Sequence, residues 1–159
     1  MPFPLRFLKG IALTLLLTAA TWVCAQSEPV VEVKARGSFD DVKQMLILAI
    51  ENRGLVVNHQ SPVGEMLERT GKDIGASKRV YERAELVEFC SATLSRQVME
   101  ADHRLLALCP FGIGIYVLPG ETGIVHLVYR KAPESAGPAA SALTQVNRLL
   151  QEIVQEAGQ

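Results

Sequence analysis

The stretch from Pro110 to Arg130, PFGIGIYVLPGETGIVHLVYR, decides the fold of this chain. Apolar and β-branched residues predict one strand over 110–118 and a second over 124–130, and the glycines and proline between them predict a turn. Two strands joined by so short a connection must pair antiparallel. The sheet therefore contains at least one antiparallel hairpin, which excludes an entirely parallel arrangement.

Further strands and helices are predicted on both sides of this hairpin. Ser38 with Asp41 three residues later is typical of a helix N-cap, and Ser91 begins a second helix that extends to Asp102. The segment 63–81 indicates at most a short helix, because glycines interrupt its apolar pattern. Other strands are predicted over 28–35, 55–60 and 84–89, and a final helix carries Leu143, Val146, Leu150 and Ile153 on one stripe.

This order predicts a single α+β domain over residues 26–159. About five strands and three main helices suffice for two layers, in which helices pack on a five-stranded sheet. Because the C-terminal hairpin is antiparallel, we expect the sheet to be mixed or mainly antiparallel.

The N-terminal segment is typical of a secretory signal peptide. Arg6 and Lys9 precede an apolar run over 11–23, and small residues at the −3 and −1 positions put the cleavage site after Ala25. The run is shorter than the ~20 residues of a membrane-spanning helix. We therefore expect export to the periplasm, with residues 1–25 removed and no membrane span left. An uncleaved anchor and acylation of Cys24 are the alternatives.

Composition and motifs narrow the classes of function. The chain has 16 bases and 17 acids without the clustered Lys and Arg of a nucleic-acid-binding face, so we expect no nucleic-acid partner. It contains no GxSxG, HExxH, P-loop or EF-hand motif. The sequence thus favours a non-enzymatic protein without a cofactor.

The cysteines leave three interpretations open. If Cys24 leaves with the signal peptide, the mature chain keeps Cys90 and Cys109, and two thiols in an oxidising compartment are first interpreted as one disulfide. Both could instead be unpaired, buried thiols. Redox or metal chemistry is the third interpretation, because Cys90 directly precedes a helix N-terminus, whose dipole favours a thiolate.

The first strand of the hairpin has an unusual face. Gly112 and Gly114 lie on one side, with Ile113 and Ile115 on the other. Missing side chains at alternate positions allow either a tightly packed helix or a flat ligand to approach the backbone, with Tyr116 at the edge of that ligand.

Two histidines are candidate metal ligands. His103 follows Asp102 at a helix end, and His126 alternates with apolar neighbours as an outward-facing strand residue does. With no ligand spacing around them, we predict no metal site.

Several of these segments together resemble one known family. The runs VEFCSATLSRQVMEAD and LALCPFGIGIYVL, the preceding AIENRGL and the hairpin end VYR are similar to the family called domain of unknown function 302, over about residues 30–155. The resemblance implies a compact α+β fold, a homodimer as one oligomeric state, and no established activity.

The leading functional expectation is a periplasmic domain that binds a small molecule or a partner protein. Its candidate ligand face consists of Gly112, Gly114 and Tyr116. The alternative is a thiol-based redox protein that uses Cys90 and Cys109.

Overall fold

The computed structural model describes residues 29–133 and 136–159 of the 159-residue chain. Within them it contains five strands, four α-helices and one 3₁₀ helix. In chain order these are β1 (Val30–Arg36), α1 (Phe39–Glu51), β2 (Val56–Ser61), α2 (Val63–Asp73), β3 (Arg83–Cys90), α3 (Ala92–Ala101), the 3₁₀ helix (His103–Leu108), β4 (Phe111–Val117), β5 (Ile124–Arg130) and α4 (Ala140–Ala157). The predicted α+β class is confirmed.

The five strands form one open sheet in the order β1-β5-β4-β3-β2. Every neighbouring pair is antiparallel, so the sheet is antiparallel throughout. The hairpin that decided the fold, β4 and β5, lies in the middle. The two N-terminal strands, β1 and β2, form the two edges.

The hydrophobic core lies between one face of the sheet and the helices α1 and α4. Alternate residues of the three central strands point into it and are fully buried: Val87, Phe89, Ile113, Ile115 and Leu127. The predicted stripe of α4 is buried against them and against α1. Because side chains alternate across a strand, the intervening residues of β3, β4 and β5 belong to the opposite face of the sheet.

Local signals place the helices on this sheet. The Ser38 hydroxyl accepts a hydrogen bond from the Asp41 amide at 3.1 Å, as the N-cap pattern predicted, so α1 begins directly after β1. The uncertain segment 63–81 contains α2, which packs against β3. Gly64 permits this packing, since a Cβ there would lie 2.8 Å from the backbone nitrogen of Ala84.

The predicted signal peptide and its cleavage site lie outside the described residues. Within the described residues, no helix is long and apolar enough to cross a membrane.

Candidate ligand-binding site

A cavity of about 350 Å³ lies at the end of the β4–β5 ladder. That ladder extends from the pair Ile113–Tyr129 to the pair Tyr116–His126. The cavity lies at the Ile113–Tyr129 end, where residues just before and just after this pair line it. The outer face of the sheet contributes Leu86, Glu88, Gly112, Gly114, Val128 and Arg130. The other walls include Ala107 and Leu108 of the 3₁₀ helix and the core residues Val146 and Leu150 of α4. The cavity thus reaches from the sheet surface to the core.

The two glycines form the floor of this cavity. Gly112 lies opposite Glu88, and Gly114 lies between Leu86 and Val128. A Cβ on Gly114 would lie 2.9 Å from Cγ2 of Val128, and one on Gly112 would lie 3.1 Å from Cδ1 of Leu86. The nearest atoms over the glycines therefore belong to side chains of the adjacent strands, and no helix supplies them. The missing Cβ atoms let these two side chains lie close to the sheet, which leaves open space above it.

Glu88 and Arg130 are the two charged residues that border the cavity. Among the described residues, neither side chain has an ion-pair partner within 4.0 Å or a side-chain hydrogen bond. Both are in contact with solvent, since Arg130 is exposed and Glu88 is half-buried. Each is therefore available to a polar group of a ligand.

The structure brings Cys90 and Cys109 together beside the cavity. Cys90 ends β3, and Cys109 follows the 3₁₀ helix and precedes Pro110, which lines the cavity. Their Sγ atoms are 3.1 Å apart, both thiols are free and both side chains are half-buried. The hydroxyl of Ser95 lies 3.8 Å from Sγ of Cys109. The predicted return of the chain after α3 is the reason for this proximity, whereas the disulfide itself stays a prediction.

The environment of Cys90 opposes its activation as a thiolate. Burial, followed by the hydrogen bond with the Cys109 thiol, raises the pKa of Cys90 to about 11. The N-terminus of α3 acts in the other direction but does not outweigh these two effects. The Cys90 thiol is therefore protonated at neutral pH.

A polar cluster that the sequence did not predict lies farther along the same face of the sheet. His126 of β5 is only 2% exposed, although strand alternation led us to expect it in solvent. Its Nδ1 lies 2.9 Å from Oε1 of Glu32 on β1, and its Nε2 lies 2.6 Å from Oε2 of Glu121 in the β4–β5 turn. The expectation of an outward histidine was right about the face of the sheet and wrong about exposure, because Tyr116 and the two carboxylates cover the ring.

Tyr116 belongs to this cluster and does not line the cavity. Its ring stacks on His126 with centroids 4.5 Å apart, and the ring of Tyr81 packs against it at a tilt, with centroids 5.1 Å apart. The Tyr116 hydroxyl donates a 2.5 Å hydrogen bond to Glu32. This bond, with a smaller contribution from His126, lowers the pKa of Glu32, while burial and the nearby carboxylate raise the pKa of Tyr116. The predicted ligand face is thus divided, with Gly112 and Gly114 at the cavity and Tyr116 in a polar cluster.

The described residues contain no group of three or more His, Cys, Asp and Glu side chains that could hold a metal ion. His103 is exposed at the start of the 3₁₀ helix and is not part of the cluster that His126 forms with Glu32 and Glu121.

Replacing Gly114 by alanine is expected to lower the free energy of unfolding by about 1–3 kcal/mol, because the new Cβ overlaps Val128. Urea denaturation measures the change. In a Val128→Ala background the same substitution should cost much less, since the overlapping methyl is gone. Equal costs in both backgrounds would contradict the packing described for the cavity floor.

Together these features describe a small α+β protein with an open antiparallel sheet and a partly apolar cavity on one face. The sequence profile of the family "Domain of unknown function DUF302" matches residues 31–157, so the chain belongs to this family. Its fold is similar to that in the crystal structure of an uncharacterized conserved DUF302 protein from Bacillus stearothermophilus. The TM-score is 0.67 at 14% sequence identity, and the match covers 82% of this chain and 99% of that one. A comparison with curated protein sequences gives no match.

Proposed function

We propose that this protein binds a small organic molecule in the cavity floored by Gly112 and Gly114. The observation that carries the proposal is the cavity of about 350 Å³, which reaches the core at α4. Ligand cavities commonly measure roughly 300–1,000 Å³ and combine mostly apolar walls with a few polar groups. Here the apolar walls come from aliphatic and aromatic side chains, and the charged groups are Glu88 and Arg130.

The fluorescent dye N-phenyl-1-naphthylamine tests this proposal, since its emission rises when it enters an apolar site. Ala107 lines the cavity and is exposed, so Ala107→Trp should fill the space without disturbing the core. We expect this variant to weaken dye binding at least tenfold. The matched control is Leu106→Trp, because Leu106 is the adjacent residue, is 61% exposed and does not border the cavity.

Two results would contradict the proposed function. One is wild-type protein that binds no dye. The other is equal loss of binding in the Ala107 and Leu106 variants, which would place the dye elsewhere.

Native mass spectrometry of the protein purified from its own host then reports a natural ligand or partner protein, and also whether the chain is a homodimer, as the family resemblance implied.

Export to the periplasm is part of the same proposal. Its support is the basic and apolar pattern of residues 1–25, with the cleavage site after Ala25. An intact mass of periplasmic protein that begins at Gln26 is the expected result. A mass that still includes residues 1–25 would contradict it.

The redox alternative receives less support from the geometry. It requires Cys90 as an attacking thiolate, and the raised pKa of about 11 leaves little thiolate at neutral pH. The absorbance of the reduced protein against pH measures this pKa directly. A Cys90 that titrates well below 8.5 would restore the redox hypothesis.

A further inference from the structure

The two charged residues at the cavity suggest which class of ligand fits it, provided that the proposed binding function holds. Arg130 lies on β5 and Glu88 on β3, and β4 lies between these two strands. Gly112 of β4 is opposite Glu88, and Arg130 directly follows the last β4–β5 pair, Ile113–Tyr129. Neighbouring strands are about 4.8 Å apart, so the two charges emerge from the sheet about 10 Å from each other. Gly112 has no side chain, and the Leu86 side chain that lies against it gives the sheet an uncharged, apolar surface beside Glu88.

The surroundings leave each charge without a competing partner among the described residues. Val30 is the residue opposite Arg130 on β1, so the guanidinium has an apolar neighbour there. His59 is opposite Glu88 on β2, but the two side chains form no ion pair within 4.0 Å. The positive end of the cavity is thus bordered by Val30 and Val128, and the negative end by Leu86 and Pro110.

We infer that the cavity binds a flat, amphipathic organic anion, with its anionic group at Arg130 and its apolar body against the Leu86 and Val128 side chains, which lie over Gly112 and Gly114. The guanidinium offers several N–H donors to a carboxylate, sulfonate or phosphate, and such charge-assisted hydrogen bonds exceed neutral ones in strength. Glu88 repels a second anionic group and accepts a hydrogen bond from a donor at the opposite end of the ligand. The two charges together therefore fix the orientation of the ligand on the sheet.

A matched pair of dyes tests the inference on the full-length mature protein. 1-Anilinonaphthalene-8-sulfonate and N-phenyl-1-naphthylamine share the same rings and the same N–H donor, and differ by the sulfonate. We expect the wild-type protein to bind the sulfonate about five to ten times more tightly. Arg130→Met should abolish this preference, because the substitution removes the guanidinium and leaves a shorter, unbranched apolar side chain in its place.

The control variant is Arg36→Met, which removes the same charge from the far end of β1, outside the cavity. It should keep the preference for the sulfonate. Circular dichroism and urea denaturation of each variant verify that it is folded.

Different results separate this inference from the proposed function. If the wild-type protein binds neither dye, the binding function itself is wrong. If it binds both dyes equally, or if Arg36→Met loses the preference as fully as Arg130→Met does, the cavity remains a binding site but the assignment of an anion to Arg130 is overturned.

Discussion

The free energy of unfolding of the oxidised protein is expected to be about 3 kcal/mol higher than that of the reduced protein, because a disulfide between Cys90 and Cys109 would constrain the unfolded chain. The two cysteines are 19 residues apart in sequence, and their Sγ atoms are already within 3.1 Å. Closing a loop of this length removes conformational entropy from the unfolded chain, and the chain-entropy relation gives about 3 kcal/mol. Guanidinium denaturation with and without a reducing agent measures the difference.

Serine variants provide the controls for this disulfide. Cys90→Ser, Cys109→Ser and the double variant should each have about the stability of the reduced wild type and should not respond to a reducing agent. The bond is counted directly by titrating free thiols in unreduced, denatured protein. Two free thiols per chain in periplasmic material would show that the disulfide does not form.

Replacing His126 by alanine is expected to cost about 2–3 kcal/mol of stability. The ring is almost fully buried and contacts a carboxylate at each of its nitrogens. Its removal leaves two glutamates and the Tyr116 ring around a cavity, and groups that lose a buried hydrogen-bonding partner are costly to leave unpaired. Glu32 and Glu121 are partly exposed, so water can reach them, and for this reason we expect less than the 3–5 kcal/mol typical of a fully buried pair.

A background with Glu32→Gln and Glu121→Gln separates the charges from the packing. Without the two carboxylate charges, the cost of His126→Ala should fall to roughly that of the lost packing and the neutral hydrogen bonds that the glutamine amides can still form. Urea denaturation of the four proteins forms a double-mutant cycle. If the cost of His126→Ala is the same in both backgrounds, the charges of the two glutamates contribute nothing, and neutral hydrogen bonds and stacking on Tyr116 hold the cluster.

Most of the fold could be predicted from the sequence because its signals are local. The hairpin predicted over 110–130 is β4 and β5, and the serine caps at Ser38 and Ser91 mark where α1 and α3 begin. The strand order could not be predicted in this way. It depends on which apolar faces bury each other across long sequence separations, and the alternation within one strand does not contain that information.

The candidate site was predictable only in part, for the same reason. Gly112 and Gly114 share one face by the geometry of a strand, so their cavity could be anticipated. The contacts of His126 could not, because Glu32 becomes its neighbour only when β1 pairs with β5. The alternating pattern assigned His126 to the correct face, but a residue's face does not indicate what covers it.

The position of β1 beside β5 has a consequence for how the chain comes to be folded. Val30–Arg36 has β5 as its neighbour in the sheet, and β5 is the last strand to leave the ribosome. Whether the chain emerges during synthesis or during export, its first strand therefore remains without its partner until nearly the whole domain has emerged, while β2 and β3 can already pair. Pairing between such distant segments slows folding, because a long loop must close before any contact compensates for its entropy. The N-terminal strand thus stays unpaired until β5 is available beside it.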